Sequence, residues 1–515
     1  MLLSYASAAV ALSLYGILRL LESWSHDPRE PPLVNHAIPF LGPIIEMLRH
    51  KTRFYIRMKR KHNLPIYTLR VPGSRIYVVN SVPLTSAVQK QYRTLSWIPL
   101  LGHAISWISG TSQAVNEVMA RDMTTEAGFL LGINKISSPA LAPGPSLDAM
   151  NAAAIRAFAA AVDLLATQDP VQVSFLPWVR SQILLGTTDA IYGPHNPFRD
   201  PTVAEAWNSN SNFRPGIPNL GPKALPSFLT SRSIQAREHV VQALMSYFQA
   251  GHHKTGSEML RARYAYIVHR HGIHDVADLA RLELSGAFAS IENTVPTTFW
   301  FLCRLFSDPL VLEDCRRELA PLVQTRNRVS YMDIDSVKSS CPILQSTLHE
   351  TIRYHSVVMS ARKVTEDQVL DKYLLKKGST LLISATVPHF DPEAWGSDVA
   401  QFKHTRFLQQ GRVTTGKGSQ RMAFRGFGGG YHLCPGRHFS VTEMLSLAAM
   451  LILRFDVTPV TGTWDVLLDS DYVSSDGTAA PVPVHDFPVI FSPRSHGNWE
   501  FFDSGSGKQM ELLAE

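Results

Sequence analysis

The ten residues FGGGYHLCPG, 427–436, constrain the fold and chemistry of this chain more than any other segment. Three consecutive glycines lead to Cys434, and Pro435 follows it. Glycine tolerates positive φ angles and exposes backbone N–H groups, so the loop can wrap closely around a bound object. Proline is favoured in the first turn of a helix, and strong helix formers follow Pro435. The loop amides and the helix N-terminus are both expected to favour a thiolate, which predicts a metal ligand at Cys434.

The remaining cysteines predict the surroundings of the protein. Cys303, Cys315 and Cys341 are scattered along the chain, and no CxxC spacing occurs. This pattern argues against a secreted disulfide framework and against a structural zinc site. Reducing surroundings are therefore expected.

The spacing Phe427-x-x-Gly430-x-x-x-Cys434-x-Gly436 resembles the haem-binding signature of the cytochrome P450 family. The resemblance implies haem b, iron protoporphyrin IX, with the Cys434 thiolate as the axial ligand of the iron. His432 stands where most members have an arginine that faces a haem propionate. The alternative is a buried structural cysteine after a glycine-rich turn.

Upstream residues match further patterns of the family. Glu350 and Arg353 form an ExxR pair on one helix face, and Arg406 lies in an FxxxRF pattern in which His404 replaces the usual proline. The resemblance implies a buried network of these three residues that stiffens the cysteine loop, with guanidinium groups that satisfy two acceptors each. A second ExxR match at 313–316 is predicted to be a solvated ion pair.

Two positions concern the haem propionates. Arg362 resembles the arginine that binds a propionate in the family, with an ordinary surface arginine as the alternative. No WxxxR motif occurs between residues 90 and 170, so the propionate partner expected from that helix is unassigned. The segment 149–163 is only a candidate for that helix.

The helix expected over the distal face of the haem is 282–306. The family pattern there is A-G-x-[DE]-T-T, and this chain has Glu292, Asn293 and Thr294 at its last three positions, which makes them the candidate catalytic residues. Asparagine cannot act as an acid or base, so protons are expected to come by ordered water with help from Glu292 or Thr294. A plain core helix is the alternative. Pro296 removes a backbone hydrogen bond and predicts a distortion of this helix.

The segments ASIENTVPTTFW and EPPLVNHAIPFLG are similar to the steroid 7α-hydroxylase and prostacyclin synthase branch of the family, and other details resemble fungal enzymes of specialised metabolism. The resemblance implies a monooxygenase that oxidises a lipophilic, steroid-like or terpenoid-like molecule. Its electrons would come from NADPH through NADPH–cytochrome P450 reductase, with cytochrome b5 as a further candidate donor. The alternatives are an electron-independent peroxide isomerase and a non-catalytic haem-binding sensor.

The predicted fold is mainly α with a small β-sheet subdomain, and the resemblance implies the cytochrome P450 fold. Residues 66–71 and 75–80 are typical of two strands around a turn, whereas helical patterns dominate the later chain. The catalytic domain is predicted over 44–493 and a poorly ordered tail over 494–515. The apolar segment 212–229 is predicted to be an ordinary loop, with a lid or a second membrane-touching surface as the alternative.

The N-terminus predicts a membrane anchor. Its first eighteen residues carry no charge, and a helix over residues 1–21 would be about 30 Å long, which matches the hydrocarbon layer of a bilayer. A secretory signal is the alternative, but the basic n-region and a cleavage site are missing. Basic residues after the span predict a single-pass protein of the endoplasmic reticulum membrane with a cytoplasmic catalytic domain. The proline-rich segment 22–43 is expected to be a stiff strap between anchor and domain.

The overall charge adds little about partners. The formal net charge of +6 is small for 515 residues. A dense run of lysine and arginine with interleaved aromatic residues, of the kind that binds a nucleic acid, is not expected in this chain. The predicted partners are therefore the membrane, the redox proteins and a lipophilic substrate.

Overall fold

The computed structural model describes residues 2–505 apart from 124, 126, 169, 209–226, 411, 415–417, 465–472, 475–478, 484 and 495–496. The helices in this part of the chain are α1 Leu2–Trp24, α2 Gly42–His50, α3 Arg53–His62, α4 Val82–Lys90, α5 Ile98–Ser109, α6 Gln113–Ala120, α7 Phe129–Ser137, α8 Pro145–Ala166, α9 Phe175–Tyr192, α10 Pro201–Asn208, α11 Ser227–Gln249, α12 Glu258–Ala265, α13 Val276–Ile291, α14 Thr294–Ser307, α15 Pro309–Leu319, α16 Ile334–Ser340, α17 Pro342–His355, α18 Thr386–His389, α19 Pro392–Trp395, α20 Ser419–Ala423 and α21 Arg437–Arg454. The strands are β1 Ile66–Val71, β2 Ser74–Val79, β3 Leu95–Ser96, β4 Val171–Ser174, β5 Gln324–Arg326, β6 Val329–Asp333, β7 Met359–Val364, β8 Gln368–Leu370, β9 Tyr373–Leu375, β10 Thr380–Ser384, β11 Leu408–Gln409, β12 Arg412–Val413, β13 Phe455–Pro459, β14 Val473–Ser474, β15 Val482–Pro483, β16 Pro488–Pro493 and β17 Asn498–Phe502. Residues 212–226 of the predicted loop 212–229 lie outside the described residues. Residues 227–229 belong to α11.

The chain divides into two compact units, each described here by itself. Unit one comprises Met1–Leu100, Val357–Ala400 and Lys417–Leu433, and unit two comprises Leu101–Ser356, Gln401–Gly416 and Cys434–Glu515. The predicted domain 44–493 therefore contains segments of both units. The predicted fold class, mainly α with a small β-sheet subdomain, is confirmed.

The five-stranded sheet of unit one is built on the predicted hairpin. β1 and β2 pair in antiparallel fashion around Gly73, whose φ of 66° suits glycine. β10 joins β2 in parallel, and β7 follows it, which gives the strand order β1-β2-β10-β7-β3. Tyr77, Val79 and Leu381 are buried in the apolar cluster on this sheet. Arg362 of the predicted site is carried by β7, which lies inside the sheet rather than at its edge.

The proline-rich segment 22–43 is packed against the same sheet. The buried carboxylate of Glu30 accepts hydrogen bonds from Arg75 at 2.8 Å and from the Tyr77 hydroxyl at 2.6 Å. Leu33 also forms a parallel bridge with Thr68 of β1. Since a buried carboxylate is costly unless it is paired, these bonds hold the segment in one position on unit one.

The core of unit two is made by α8, α9 and α21, which pack on one another. α9 and α21 bury side chains all around their axes, as expected for helices enclosed by other elements. By its length and composition alone, α8 is long and apolar enough to cross a membrane. Its buried residues, Phe158 and Val162 among them, pack inside unit two, as in a core helix.

Part of the predicted poorly ordered tail, 498–505, is described and is structured, whereas 495–496 and 506–515 lie outside the described residues. Asn498–Phe502 forms β17, which pairs in parallel with β6. The Asp333 carboxylate then accepts hydrogen bonds from the backbone N–H and the hydroxyl of Ser504, at 3.1 and 2.6 Å. The aromatic rings of Trp499 and Phe501 stack at a centroid distance of 5.4 Å. The alternating aromatic residues were a strand signal, because side chains two apart share one face of a strand.

Phe501→Ala is expected to lower the free energy of unfolding by about 3 kcal/mol, since it opens a cavity under β17. Phe501 is 7% exposed, whereas Phe502 on the same strand is 46% exposed and provides a matched control. Phe502→Ala should change the stability by less than about 0.5 kcal/mol. Urea unfolding of both variants measures the difference, and equal losses would contradict a docked C-terminal strand.

Candidate functional site

The cysteine loop connects α20 to α21. Gly428 and Gly430 have φ angles of 80° and 60°, which residues with a side chain rarely adopt. A Cβ atom at Gly430 would also lie 2.9 Å from Cβ of Gln89 on α4, so the loop approaches that helix too closely for any other residue. Gly436 is the N-cap residue of α21, which places Cys434 just before the helix. The predicted glycine turn and the predicted helix after it are both present, with Phe427 half-buried at the start of the turn.

The Cys434 thiol lies in a mainly apolar environment. Burial is the strongest influence and raises the pKa of this thiol above the ordinary cysteine value. A hydrogen bond from the backbone of Gly436 and the charge of Arg437 lower the pKa, but they do not outweigh burial. The Gly436 amide therefore favours a thiolate as expected, but the expected net lowering of the pKa is wrong because burial outweighs it. A buried thiolate at this position requires a cation beside it, and a bound metal ion supplies one.

Gly430→Ala is expected to destabilise the loop through both its φ angle and its contact with Gln89. Forcing alanine into the left-handed region costs roughly 1–2 kcal/mol. Gly378, with a φ of 81° and no atom within 4 Å of an added Cβ, carries the same backbone strain without the contact. The haem content and the midpoint temperature of thermal unfolding should therefore be lower in Gly430→Ala than in Gly378→Ala. Equal values would show that the close approach to α4 is unimportant.

Two buried arginines lie beside the cysteine loop in unit one. Arg362 on β7 and Arg425 after α20 are largely buried, and burial lowers the pKa of each guanidinium to about 10. Burial, together with the nearby charge of Arg362, lowers the pKa of His432 to about 3, so its imidazole is neutral. Trp97 stands edge-on to His432, with 5.6 Å between the ring centroids. Trp97 and Arg362 thus both lie near His432, and the guanidinium of Arg425 lies close to Gly429 of the loop.

These four side chains fit the propionates of a haem. Within the part of the chain that the structure describes, Trp97 Nε1, Arg425 Nε and His432 Nε2 are buried without a hydrogen-bond partner. Arg362 donates to its neighbouring backbone oxygen, Ala361 O, at 2.8 Å. Buried cations and donors are costly unless they meet an anion, and the two propionate groups of haem supply two carboxylates. The residues present therefore suit the cofactor that the sequence predicts.

Trp97 and Arg425 were missed by the sequence analysis. The two residues lie 328 positions apart in the chain of 515 residues, so no short motif contains both. The candidate segment 149–163 does not replace that motif, since Arg156 is exposed on α8. A usable signal for Arg425 was its place two residues before Phe427 of the loop.

Glu350, Arg353 and Arg406 form one buried network in unit two. Arg353 on α17 donates from Nε to Glu350 Oε2 at 2.7 Å and from Nη2 to Oε1 at 2.8 Å. Arg406 Nε and the backbone N–H of Lys403 both donate to the same Oε1 at 3.0 Å. The Glu350 and Arg353 side chains are fully buried, and that of Arg406 is 5% exposed. The structure thus brings the three predicted residues together and ties α17 to the segment that follows residue 400.

The second ExxR match differs in both burial and partners. Glu313 pairs with Arg317 at 3.8 Å, and both side chains are about two-thirds exposed, at 65% and 68%. Arg316 pairs instead with Asp456 at 2.6 Å. The prediction of a solvated pair therefore holds for Glu313, but its partner is Arg317 rather than Arg316.

The expected distal helix is two helices, α13 and α14, which meet at Glu292 and Asn293. The cause is Pro296, which lacks an N–H group and whose ring would clash with the carbonyl of residue 292 in a continuous helix. The predicted distortion is therefore present. Asn293 is exposed, whereas Glu292 and Thr294 are each 5% exposed. The Thr294 hydroxyl donates to the backbone oxygen of Ser290 at 3.3 Å, and this bond together with its burial favours the core-helix alternative for Thr294 but not for the exposed Asn293.

Comparison with known proteins identifies the family. The family model described as Cytochrome P450 matches residues 233–474. A relative from Hypoxylon pulicicidum, named cytochrome P450 monooxygenase nodJ, is 33% identical over 506 residues, 95% of each chain. Cytochrome P450 7B1 of Mus musculus is 24% identical over 463 residues, 87% of this chain and 88% of the relative.

A solved structure supports the fold. The structure described as retinoic acid bound cyanobacterial CYP120A1 superimposes with a TM-score of 0.69 and 19% sequence identity, and covers 91% of this chain and 100% of its own. At this identity the likeness concerns the fold alone. Together with the relative that is 33% identical, these findings show that the chain belongs to the cytochrome P450 family and is an oxidoreductase of its monooxygenase class.

Proposed function

We propose that this protein is a membrane-anchored haem-thiolate monooxygenase that oxidises a lipophilic small molecule of steroid-like or terpenoid-like shape. The observations that carry the proposal are the partly buried Cys434 thiol just before α21 and the group of donors in unit one, Trp97, Arg425 and His432, whose buried polar atoms suit carboxylates. Relatives that bear the name cytochrome P450 monooxygenase in Hypoxylon pulicicidum and Gibberella zeae support the reaction class.

In this proposal the chain holds the cofactor at both its centre and its edge. Cys434 would ligate the iron, while Arg362, Arg425, His432 and Trp97 would bind the propionates. When bound, the haem supplies the oxidising chemistry, and the protein supplies orientation and polarity. Phe427, Gly430 and Gly436 shape the backbone that brings the sulfur to its position.

Asn293 is the distal residue that we assign to proton delivery. Its exposed carboxamide can orient a water molecule by donating and accepting hydrogen bonds, but it cannot itself exchange a proton at ordinary pH. Glu292 and Thr294, being buried, would act only through the backbone shape around Asn293. The proposal therefore predicts a water-mediated proton path that depends on the side-chain amide.

The membrane part of the proposal rests on α1. Leu12 and Trp24 are 71% and 80% exposed, and most of the other large apolar side chains described in this helix are exposed as well. α1 has 23 residues, which is long enough to span a bilayer once. We assign it as the anchor of a cytoplasmic catalytic domain on the endoplasmic reticulum membrane, where NADPH–cytochrome P450 reductase and cytochrome b5 would donate electrons.

Turnover assays with and without electron donors test the function. The purified holoenzyme, in lipid with reductase and NADPH, is screened against lipophilic candidates for substrate-induced spin-state shifts, and the products are identified by mass spectrometry. The proposal expects products that contain one added oxygen atom and depend on NADPH and reductase. Full turnover of a peroxide without them would establish the isomerase alternative instead. Haem binding without turnover of any ligand that shifts the spectrum would favour a sensor.

A further inference from the structure

A largely buried arginine holds the C-terminal end of α14 against α17. The Nε atom of Arg304 on α14 lies 3.0 Å from Nε2 of His355 on α17. A guanidinium can only donate hydrogen bonds, so His355 Nε2 is the acceptor and its imidazole is neutral. Burial, together with the charges of Arg304 and Arg353, holds the pKa of His355 well below its ordinary value. The bond from Arg304 therefore keeps one direction at neutral pH.

Two aromatic rings enclose the same guanidinium. Cζ of Arg304 lies 4.9 Å from the ring centroid of Tyr354 and 4.7 Å from that of Phe402. Contacts of this length are cation–π interactions, which stabilise a cation that is shielded from water. The Tyr354 ring also lies 5.8 Å from the guanidinium of Arg353. Phe402 precedes the residue whose backbone N–H donates to Glu350, so Arg304 joins α14 to both segments of the Glu350 network.

Trp300, one turn earlier on α14, provides a second set of contacts at the same end of the helix. Its ring stacks on that of His355, with 4.2 Å between the centroids and 12° between the planes. Its Nε1 atom donates to the backbone oxygen of Pro481 at 2.7 Å. Trp300 is 2% exposed, so these contacts are shielded from water. Contacts in several directions thus fix the rotation of α14 about its axis.

Asn293 lies on the same face of α14 as Trp300 and Arg304. It is the N-cap residue of the helix, and positions 293, 297, 300 and 304 follow one another at spacings of four, three and four. The Thr297 hydroxyl donates to the backbone oxygen of Asn293 at 2.8 Å, which joins Asn293 to the first turn of α14. The direction of the Asn293 carboxamide therefore depends on the rotation that Trp300 and Arg304 fix.

We propose that Arg304 is a positioning residue that fixes the direction of the Asn293 carboxamide. An apolar residue of similar volume would fill the same space without the cost of burying a charge. The guanidinium adds direction, because it is bonded to one ring nitrogen and enclosed by two rings. Cores repacked with apolar residues lose a unique arrangement before they lose stability. This inference rests on the proposed role of Asn293 in proton delivery and extends it to a residue about three helical turns away.

The test uses the full-length, reduced holoenzyme with carbon monoxide as the probe, and the C–O stretching band is recorded by infrared spectroscopy. This band responds to the polarity and hydrogen-bond donors of the distal side, so no substrate is needed. Asn293→Ala is expected to shift the band. Arg304→Met should shift it in the same direction and broaden it. The double variant should show no shift beyond that of Asn293→Ala, because residues that act through one another are not additive.

Arg304→Lys keeps a cation between the two rings but loses the planar guanidinium, so its band should lie between those of the parent protein and Arg304→Met. If Arg304→Met does not retain haem, Arg304→Lys carries the same comparison. Arg316→Met is the matched control, since Arg316 is 19% exposed and bonds to Asp456 and to the backbone of Phe455. Urea unfolding is measured for all variants, and the control should leave the C–O band unchanged even where its stability falls.

Three outcomes overturn the inference. The first is a parent-like C–O band in the Arg304 variants, and the second is a double variant in which the two single shifts add. The third is an equal shift in Arg316→Met, which would assign the effect to a general loss of packing. The proposed monooxygenase function is tested separately by the thiolate-type Soret band and by NADPH-dependent turnover, so its failure and the failure of this inference are distinguishable.

Discussion

Cys434→Ser is expected to abolish the thiolate-type Soret band of the reduced, carbon-monoxide-bound protein and to remove turnover. A serine hydroxyl does not ionise near neutral pH and lacks the soft sulfur that donates electron density to a haem iron. The partly buried position of Cys434 strengthens this expectation, because desolvation already raises the pKa of the thiol and an alkoxide would be less stable still. The measurement is the absorbance spectrum of the purified variant, followed by product analysis.

A second variant and a control keep this prediction testable if the serine protein loses its haem. Cys434→His should retain haem through a nitrogen ligand but show a band at a different wavelength, without thiolate character. Cys341, fully buried with the pKa of its thiol raised to about 12, serves as the control. Cys341→Ala should leave the spectrum unchanged. A serine variant with both the thiolate band and turnover intact would refute the assignment of Cys434.

The sequence predicted the parts of the site that depend on local geometry. The glycines of the loop, the helix after Cys434, and the pairing of Glu350 with Arg353 follow from φ preferences and helix periodicity, which act within a few residues. The break in the helix before Pro296 is also a local effect. Proline has no N–H group to donate, and its ring clashes with the backbone carbonyl four residues earlier. Such features can be inferred from one sequence because no distant contact is needed to produce them.

What the sequence did not provide depends on contacts across the chain. Trp97 becomes a neighbour of His432 in the cysteine loop only through the fold of unit one, whereas Arg425 lies two positions before the loop and could have been found there. The pKa of Cys434 was predicted in the wrong direction because burial, a property of the whole fold, outweighs the local amides. β17 was overlooked for a similar reason, since its stability comes from pairing with β6, about 170 positions earlier.

Glu350→Gln is expected to lower the free energy of unfolding by at least about 3 kcal/mol and to reduce haem retention. One oxygen of Glu350, Oε1, accepts hydrogen bonds from Arg353, Arg406 and the backbone of Lys403. Glutamine keeps a single acceptor oxygen and turns an NH₂ group towards a guanidinium, so two buried arginines lose their counter-charge. Breaking a fully buried pair from one side costs about 3–5 kcal/mol, because the remaining charge is left without compensation.

The exposed pair of Glu313 and Arg317 provides a control for Glu350→Gln. It separates the effect of burial from the effect of losing one negative charge. Glu313→Gln removes the same charge from a side chain that is 65% exposed and 3.8 Å from Arg317, and it should change the stability by less than about 0.5 kcal/mol. Arg353→Lys tests geometry at constant charge, since lysine cannot donate the two parallel bonds that Arg353 makes to Glu350. Urea unfolding and haem absorbance are measured for all three variants. If Glu350→Gln and Glu313→Gln lower the free energy of unfolding by the same small amount, the buried network does not stabilise unit two. If Glu350→Gln unfolds at a lower urea concentration but keeps its haem, the network stabilises α17 without acting on the cysteine loop.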